Sequence, residues 1–163
     1  MTNNDILRRV RYIFDFNDDK MIALFAAADC TVTRAQISDW MKQEDHPEYN
    51  KLTDVMLATY LNGLINDKRG KREGPQPVPE KSLTNNAIFM KLKIALNMQA
   101  EDIIEIMDMS DFRMSKHELS AFFRKAGHKH FRECKDQILR TFLKGLQLKY
   151  REDEKSDTEF KWE

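Results

Sequence analysis

The sequence predicts an all-α protein: two homologous four-helix units packed as a pseudo-twofold pair. Sliding the chain along itself by 82 positions lays residues 2–69 on residues 84–151 without a gap, and 15 of the 68 columns are identical. A repeat of this length fixes architecture before any local reading. Capping boxes fall at the same column of both copies, Thr33-x-x-Gln36 and Ser115-x-x-Glu118, and each marks a helix start. No stretch keeps the two-residue alternation of a half-buried strand.

Each copy holds four helices. The first starts near Asn4, with Ile6, Val10 and Ile13 as its apolar stripe and Ile88, Leu92 and Leu96 in the second copy. Thr-Asn-Asn offers N-cap oxygens in both. The second helix carries Met21, Ile22, Leu24 and Phe25 against Ile103, Ile104, Ile106 and Met107. Asp18-Asp19 and Glu101-Asp102 lie at its start, where acids suit the helix dipole. The third follows the capping boxes, with Ile37, Trp40 and Met41 matched by Leu119, Phe122 and Phe123. The fourth begins near Asp54 and Asp136. Its stripe is Met56, Leu57, Tyr60, Leu61 and Leu64, against Ile138, Leu139, Phe142, Leu143 and Leu146.

Gly63 and Gly145 interrupt that fourth stripe, where glycine costs about 1 kcal/mol relative to alanine. Their retention in both copies predicts close approach of another helix, with the repeat interface as one place for it. Thr59 and Thr141 are expected to face solvent or the other repeat.

The organisation expected is residues 1–70 as the first repeat, 71–83 as a linker with three of the four prolines, 84–151 as the second repeat, and 152–163 as an acidic, disordered tail. A unit of about 68 residues makes a marginal core alone, so the copies are expected to pack on each other. The apolar fraction of 41% is ordinary, and no run approaches the ~18–20 residues of a membrane span. Residues 1–11 lack the apolar core of a signal peptide. Cys30 and Cys134 fall in different columns, which fits a reducing cytoplasm.

Taken together, these residues resemble the YehS-like family of bacterial proteins, which carry a duplicated domain of unknown function. The resemblance rests on Asn3-Asn4-Asp5-Ile6-Leu7-Arg8, Val10-Arg11-Tyr12-Ile13, Leu61-Asn62-Gly63-Leu64-Ile65 and Lys68-Arg69-Gly70-Lys71. In the second copy it rests on His128-Lys129-His130-Phe131-Arg132-Glu133-Cys134 and Asp136-Gln137. It covers nearly the whole chain except the tail. It implies a cytoplasmic, duplicated helical unit and brings no functional residues with it.

Net charge is zero but unevenly spread. The second repeat carries 13 Lys+Arg against 8 Asp+Glu, the first 9 against 11, and the last twelve residues 2 against 6. Such asymmetry speaks to partners. A helix-turn-helix is the first candidate: Glu101–Met109 followed by Ser115–Lys125, with Lys116, His117, Arg124 and Lys125 on the exposed side of the second helix. The intervening turn, Asp108–Met114, is longer than the usual 3–4 residues. Three ligand types, His128, His130 and Cys134, lie close together, but repeat 1 has Glu48 and Leu52 where His130 and Cys134 stand. No metal site is expected. His46/Asp54 and His128/Asp136 recur in both copies; the Asp is expected to cap the fourth helix and the His to fix the loop before it. Phosphate loops, nucleophile elbows and dinucleotide fingerprints are absent.

The expected role is therefore a non-enzymatic binding or regulatory module without cofactor or metal. The leading partner is nucleic acid, held by Lys116, Arg124, Lys125, Lys129 and Arg132, with Arg34 and Lys42 as their repeat-1 counterparts. The alternative is a protein-interaction adaptor using the groove between repeats. The acidic tail would compete with phosphate for the basic surface.

Overall fold

The computed structural model describes residues 1–151, and the calls made on residues 152–163 lie outside the described residues. Eight helices follow in order: α1 (Asn3–Ile13), α2 (Asp18–Ala27), α3 (Arg34–Met41), α4 (Asp54–Arg69), α5 (Asn85–Ala95), α6 (Ala100–Met109), α7 (Lys116–Ala121) and α8 (Asp136–Tyr150). No strand occurs among the described residues. The starts of α5 to α8 fall 82 residues after those of α1 to α4. The fold is all-α and built on the duplication.

Local chemistry sets these boundaries in both copies. Thr2 caps α1 by accepting from the Asp5 N–H, and Thr84 caps α5 by accepting from the Ala87 N–H. Both capping boxes form at α3 and α7. The helices α1, α2, α5 and α6 are each followed by a residue at positive φ: Asp15 at 54°, Asp29 at 59°, Asn97 at 51° and Asp111 at 60°. Asp and Asn visit this left-handed region more readily than other side chains bearing a Cβ.

The apolar stripes meet in one continuous core. Phe25, Trp40 and Tyr60 pack together in repeat 1, with ring centroids 5.4 Å and 5.2 Å from Phe25. Phe89, Phe122 and Phe142 do the same in repeat 2. Within each copy the second and fourth helices pack directly, α2 on α4 and α6 on α8. Between copies, α4 meets α5 and α1 meets α8. Exchanging the two repeats converts one of these contacts into the other, as a pseudo-twofold axis requires.

Four expectations are corrected here. First, Gly63 and Gly145 do permit close approach, but inside each repeat rather than across the interface: a Cβ at Gly63 would lie 1.7 Å from the Leu24 carbonyl oxygen, and one at Gly145 2.3 Å from that of Ile106. Second, Thr59 and Thr141 do not face solvent: both are buried. Each hydroxyl donates back to the carbonyl four residues earlier, at 2.7 Å, which satisfies it without solvent. Third, Asp54 is the first helical residue, not the cap; Thr53 caps α4, and Lys135 holds the corresponding position before α8. Fourth, α7 stops at Ala121, so Arg124 and Lys125 lie beyond it in a turn rather than on a helix face.

Candidate functional site

The Asn pair near each repeat start holds the loop before the fourth helix. Asn4 is fully buried. Its amide donates to the Trp40 and Asn50 carbonyls at 3.0 and 2.9 Å. Its oxygen accepts from the Tyr49 hydroxyl at 3.0 Å and the Leu52 N–H at 2.9 Å. In repeat 2, Asn86 donates to Phe122 and Arg132 and accepts from the Cys134 N–H at 2.9 Å. The same clamp therefore carries the loop over residues 42–53 and the loop over residues 122–135. His46 and His128 fix each loop further by accepting, through Nδ1, from the N–H two residues on, both at 3.0 Å.

Asp54 and Asp136 join the repeats. Asn3 donates to one oxygen of Asp54 at 2.7 Å, and the Leu83 N–H, from the entrance to repeat 2, donates to the other at 2.9 Å. Asn85 and the Met1 ammonium engage Asp136 in the same way, at 2.7 and 3.0 Å. The Asn hydrogen bonds lead in holding both carboxyls below the usual carboxylate range. These repeat-shared acids are scaffold.

The two clamped loops differ in charge. Residues 42–53 contain Lys42 and Lys51 against Glu44, Asp45 and Glu48; residues 124–135 contain Arg124, Lys125, Lys129, Arg132 and Lys135 against Glu133 alone. Lys42 is locked between Asp39 at 2.7 Å and Glu48 at 2.9 Å, bonds that raise its pKa. Arg34 is held by Asp18 and Asp19 at 3.3 and 2.6 Å. Repeat 1 thus spends its expected contact residues on its own carboxylates.

In repeat 2 the expected cations divide. Lys116 pairs with Glu101, with both side chains mostly exposed. Arg124, Lys125 and Lys129 are exposed. The Arg132 guanidinium lies over the Phe122 ring at 5.1 Å, and the Arg132 backbone N–H donates to the Ala121 carbonyl at 3.1 Å. Stacking presents a planar donor group to solvent with little freedom left to lose. Lys135 meets Glu133 at 3.0 Å with both side chains mostly exposed, a pairing of little energetic weight.

His128 and His130 rings lie 5.5 Å apart on this loop. Cys134 is buried, and burial pushes its thiol up to about 12. A thiol so far from ionisation makes a poor metal ligand, and no group of three His, Cys, Asp or Glu residues is placed to hold a metal among the described residues. A cleft of about 620 Å³ beside α1 is lined by Arg8 and Arg11. Both are already engaged: Arg8 with the Lys42 carbonyl and Asp5, Arg11 with the Phe16 carbonyl and Asp18. No helix among the described residues is long and apolar enough to cross a membrane.

Sequence reasoning missed three cations, Arg9, Arg140 and Lys144. The signal was available column by column: Ala58 and Asn62 of repeat 1 become Arg140 and Lys144 of repeat 2.

Comparison with known proteins gives one family. The family described as "Protein of unknown function (DUF1456)" matches residues 3–70 and again residues 85–152. The chain is 42% identical over 147 residues to the uncharacterized protein YehS of Escherichia coli (strain K12), covering 90% of this chain and 94% of that one. No solved structure matches the chain.

Proposed function

Since the chain belongs to the DUF1456 family, a family of unknown function, we propose from its geometry that it is a non-enzymatic binding module that takes nucleic acid through the basic loop before α8. One observation carries this reading: the same clamped loop occurs twice, neutralised in repeat 1 and, in repeat 2, left with four exposed cations that no ion pair engages among the described residues, Arg124, Lys125, Lys129 and the Phe122-stacked Arg132. Cations that serve stability are usually found with partners. A cluster of one sign without them raises the local potential and attracts phosphate.

The helix-turn-helix form of the idea has weak support. Six residues of α7 span about 9 Å, and Lys116 at its start is engaged by Glu101. The loop, rather than an inserted helix, is the better candidate contact. Loop cations on phosphates give affinity without base readout, so weak sequence preference is expected.

The test is an equilibrium titration of labelled single-stranded and duplex oligonucleotides at low and physiological salt. The full chain should bind, with log K falling as log salt rises. Changing Arg124, Lys125, Lys129 and Arg132 together to Gln should flatten that slope by about 3 on single strands. Removing residues 152–163, net −4, should tighten binding. If neither the full nor the shortened chain binds at low salt, the reading fails and the protein-interaction adaptor takes its place.

A further inference from the structure

The two pseudo-equivalent contacts between repeats are not alike. On the α4–α5 side Ala58 and Asn62 are buried. Lys91 of α5 donates to the Asn62 oxygen at 2.6 Å and pairs with Glu80 at 3.1 Å. This side is closed and electrically satisfied.

Shifting by 82 residues maps Lys91 onto Arg9 of α1, Asn62 onto Lys144 and Ala58 onto Arg140. On the α1–α8 side, therefore, three positive groups occupy the places of an alanine, an asparagine and one neutralised lysine. Arg140 and Lys144 are exposed and Arg9 is half-buried. No ion pair engages any of the three among the described residues. Arg140 and Lys144 stand one turn apart, the i, i+4 spacing at which like charges oppose helix formation by a few tenths of a kcal/mol. The seam is bounded at one end by the Met1–Asp136 pair and at the other by Arg151, whose guanidinium lies 4.2 Å from the Tyr12 ring centroid.

From this asymmetry we infer that the α1–α8 seam is a second phosphate-binding element, with Arg9, Arg140 and Lys144 carrying the backbone of a single-stranded nucleic acid across the repeat interface. The inference rests on the loop reading above, since α8 begins directly after the loop. Asp136, the acid between them, is held by Asn85 and the Met1 ammonium and also feels the Arg140 charge one turn on, which leaves Arg9 and Lys144 as the cations farther from it. A lipid surface is the competing source of phosphate: Ile138, Leu139, Phe142, Leu143 and Leu146 of α8 are buried in the core, and vesicles are therefore among the probes below.

The experiment compares the full-length wild type, the four-residue loop variant and R9Q/R140Q/K144Q, each first checked for an unchanged circular dichroism melt. The probes are oligothymidylate and oligouridylate of about 10 and about 30 nucleotides, a duplex of matched length, and vesicles rich in phosphatidylserine. The seam variant should flatten the single-strand salt slope by about 2 and weaken the longer oligomers more than the shorter ones. Wild-type binding that the loop variant weakens and the seam variant leaves unchanged would overturn the seam while sparing the loop. Failure of the wild type to bind any oligonucleotide would overturn both. Vesicle binding that depends on these three residues, without oligonucleotide binding, would reassign the seam to lipid.

Discussion

Asn4→Ala should destabilise the folded chain by about 4 kcal/mol. The side chain is 0% exposed and makes four hydrogen bonds. Truncation leaves the Trp40 carbonyl and the Leu52 N–H buried without partners, and each orphaned group costs about 1–3 kcal/mol. Against a typical total of about 5–15 kcal/mol, the loss is severe. Asn4→Asp separates hydrogen bonding from packing. It keeps the shape but replaces two donated bonds by a carboxylate facing two carbonyls, so it should be at least as damaging at neutral pH. Asn86→Ala, which breaks three bonds at a site less deeply buried, should cost less. Urea unfolding checks all three, with the midpoint falling at constant slope. An Asn4→Ala midpoint within error of wild type would show that the clamp is not what holds the loop.

Gly63→Ala should cost about 3 kcal/mol, or about 6–12 °C in melting temperature for a chain of this length. The new Cβ would sit 1.7 Å from the Leu24 oxygen and 2.8 Å from its carbonyl carbon. Both are backbone atoms, so α2 and α4 must separate. The gain of about 1 kcal/mol from replacing glycine within a helix offsets only part of this. Gly145→Ala should cost less, because its backbone neighbours stand farther off, the Ile106 carbonyl oxygen at 2.3 Å and carbon at 3.0 Å. A Gly63→Ala protein that melts above wild type would refute close approach.

Much of this was legible in the sequence. The repeat, the capping boxes and the apolar spacing placed the helices, because those signals are local and occurred twice. Gly63 and Gly145 announced a close approach, but periodicity cannot name the partner helix, which proved to lie within the repeat. The roles of Asn4 and Asp54 were hidden, since their partners are 36–48 and 29–51 residues away. Whether Thr59 faces solvent was left open for a related reason: its hydroxyl is satisfied by its own helix, which composition cannot reveal. Of the seven proposed contact residues, Arg34, Lys42 and Lys116 proved to be held by carboxylates, some from other helices. Arg9, Arg140 and Lys144 escaped notice because only tertiary packing sets α1 beside α8.

The central claim is that the repeats share a scaffold and that binding resides in what differs between them. Exchanging loops tests it most directly. Residues 124–135 are replaced by the sequence of residues 42–53, which hangs on the same Asn clamp and returns a Tyr and a Thr to the places of Phe131 and Lys135. The account predicts a cooperative melt close to wild type and a single-strand affinity at low salt reduced at least tenfold, with a flatter salt dependence. A well-folded exchange protein that binds single strands as tightly as wild type, with the same salt slope, would contradict it.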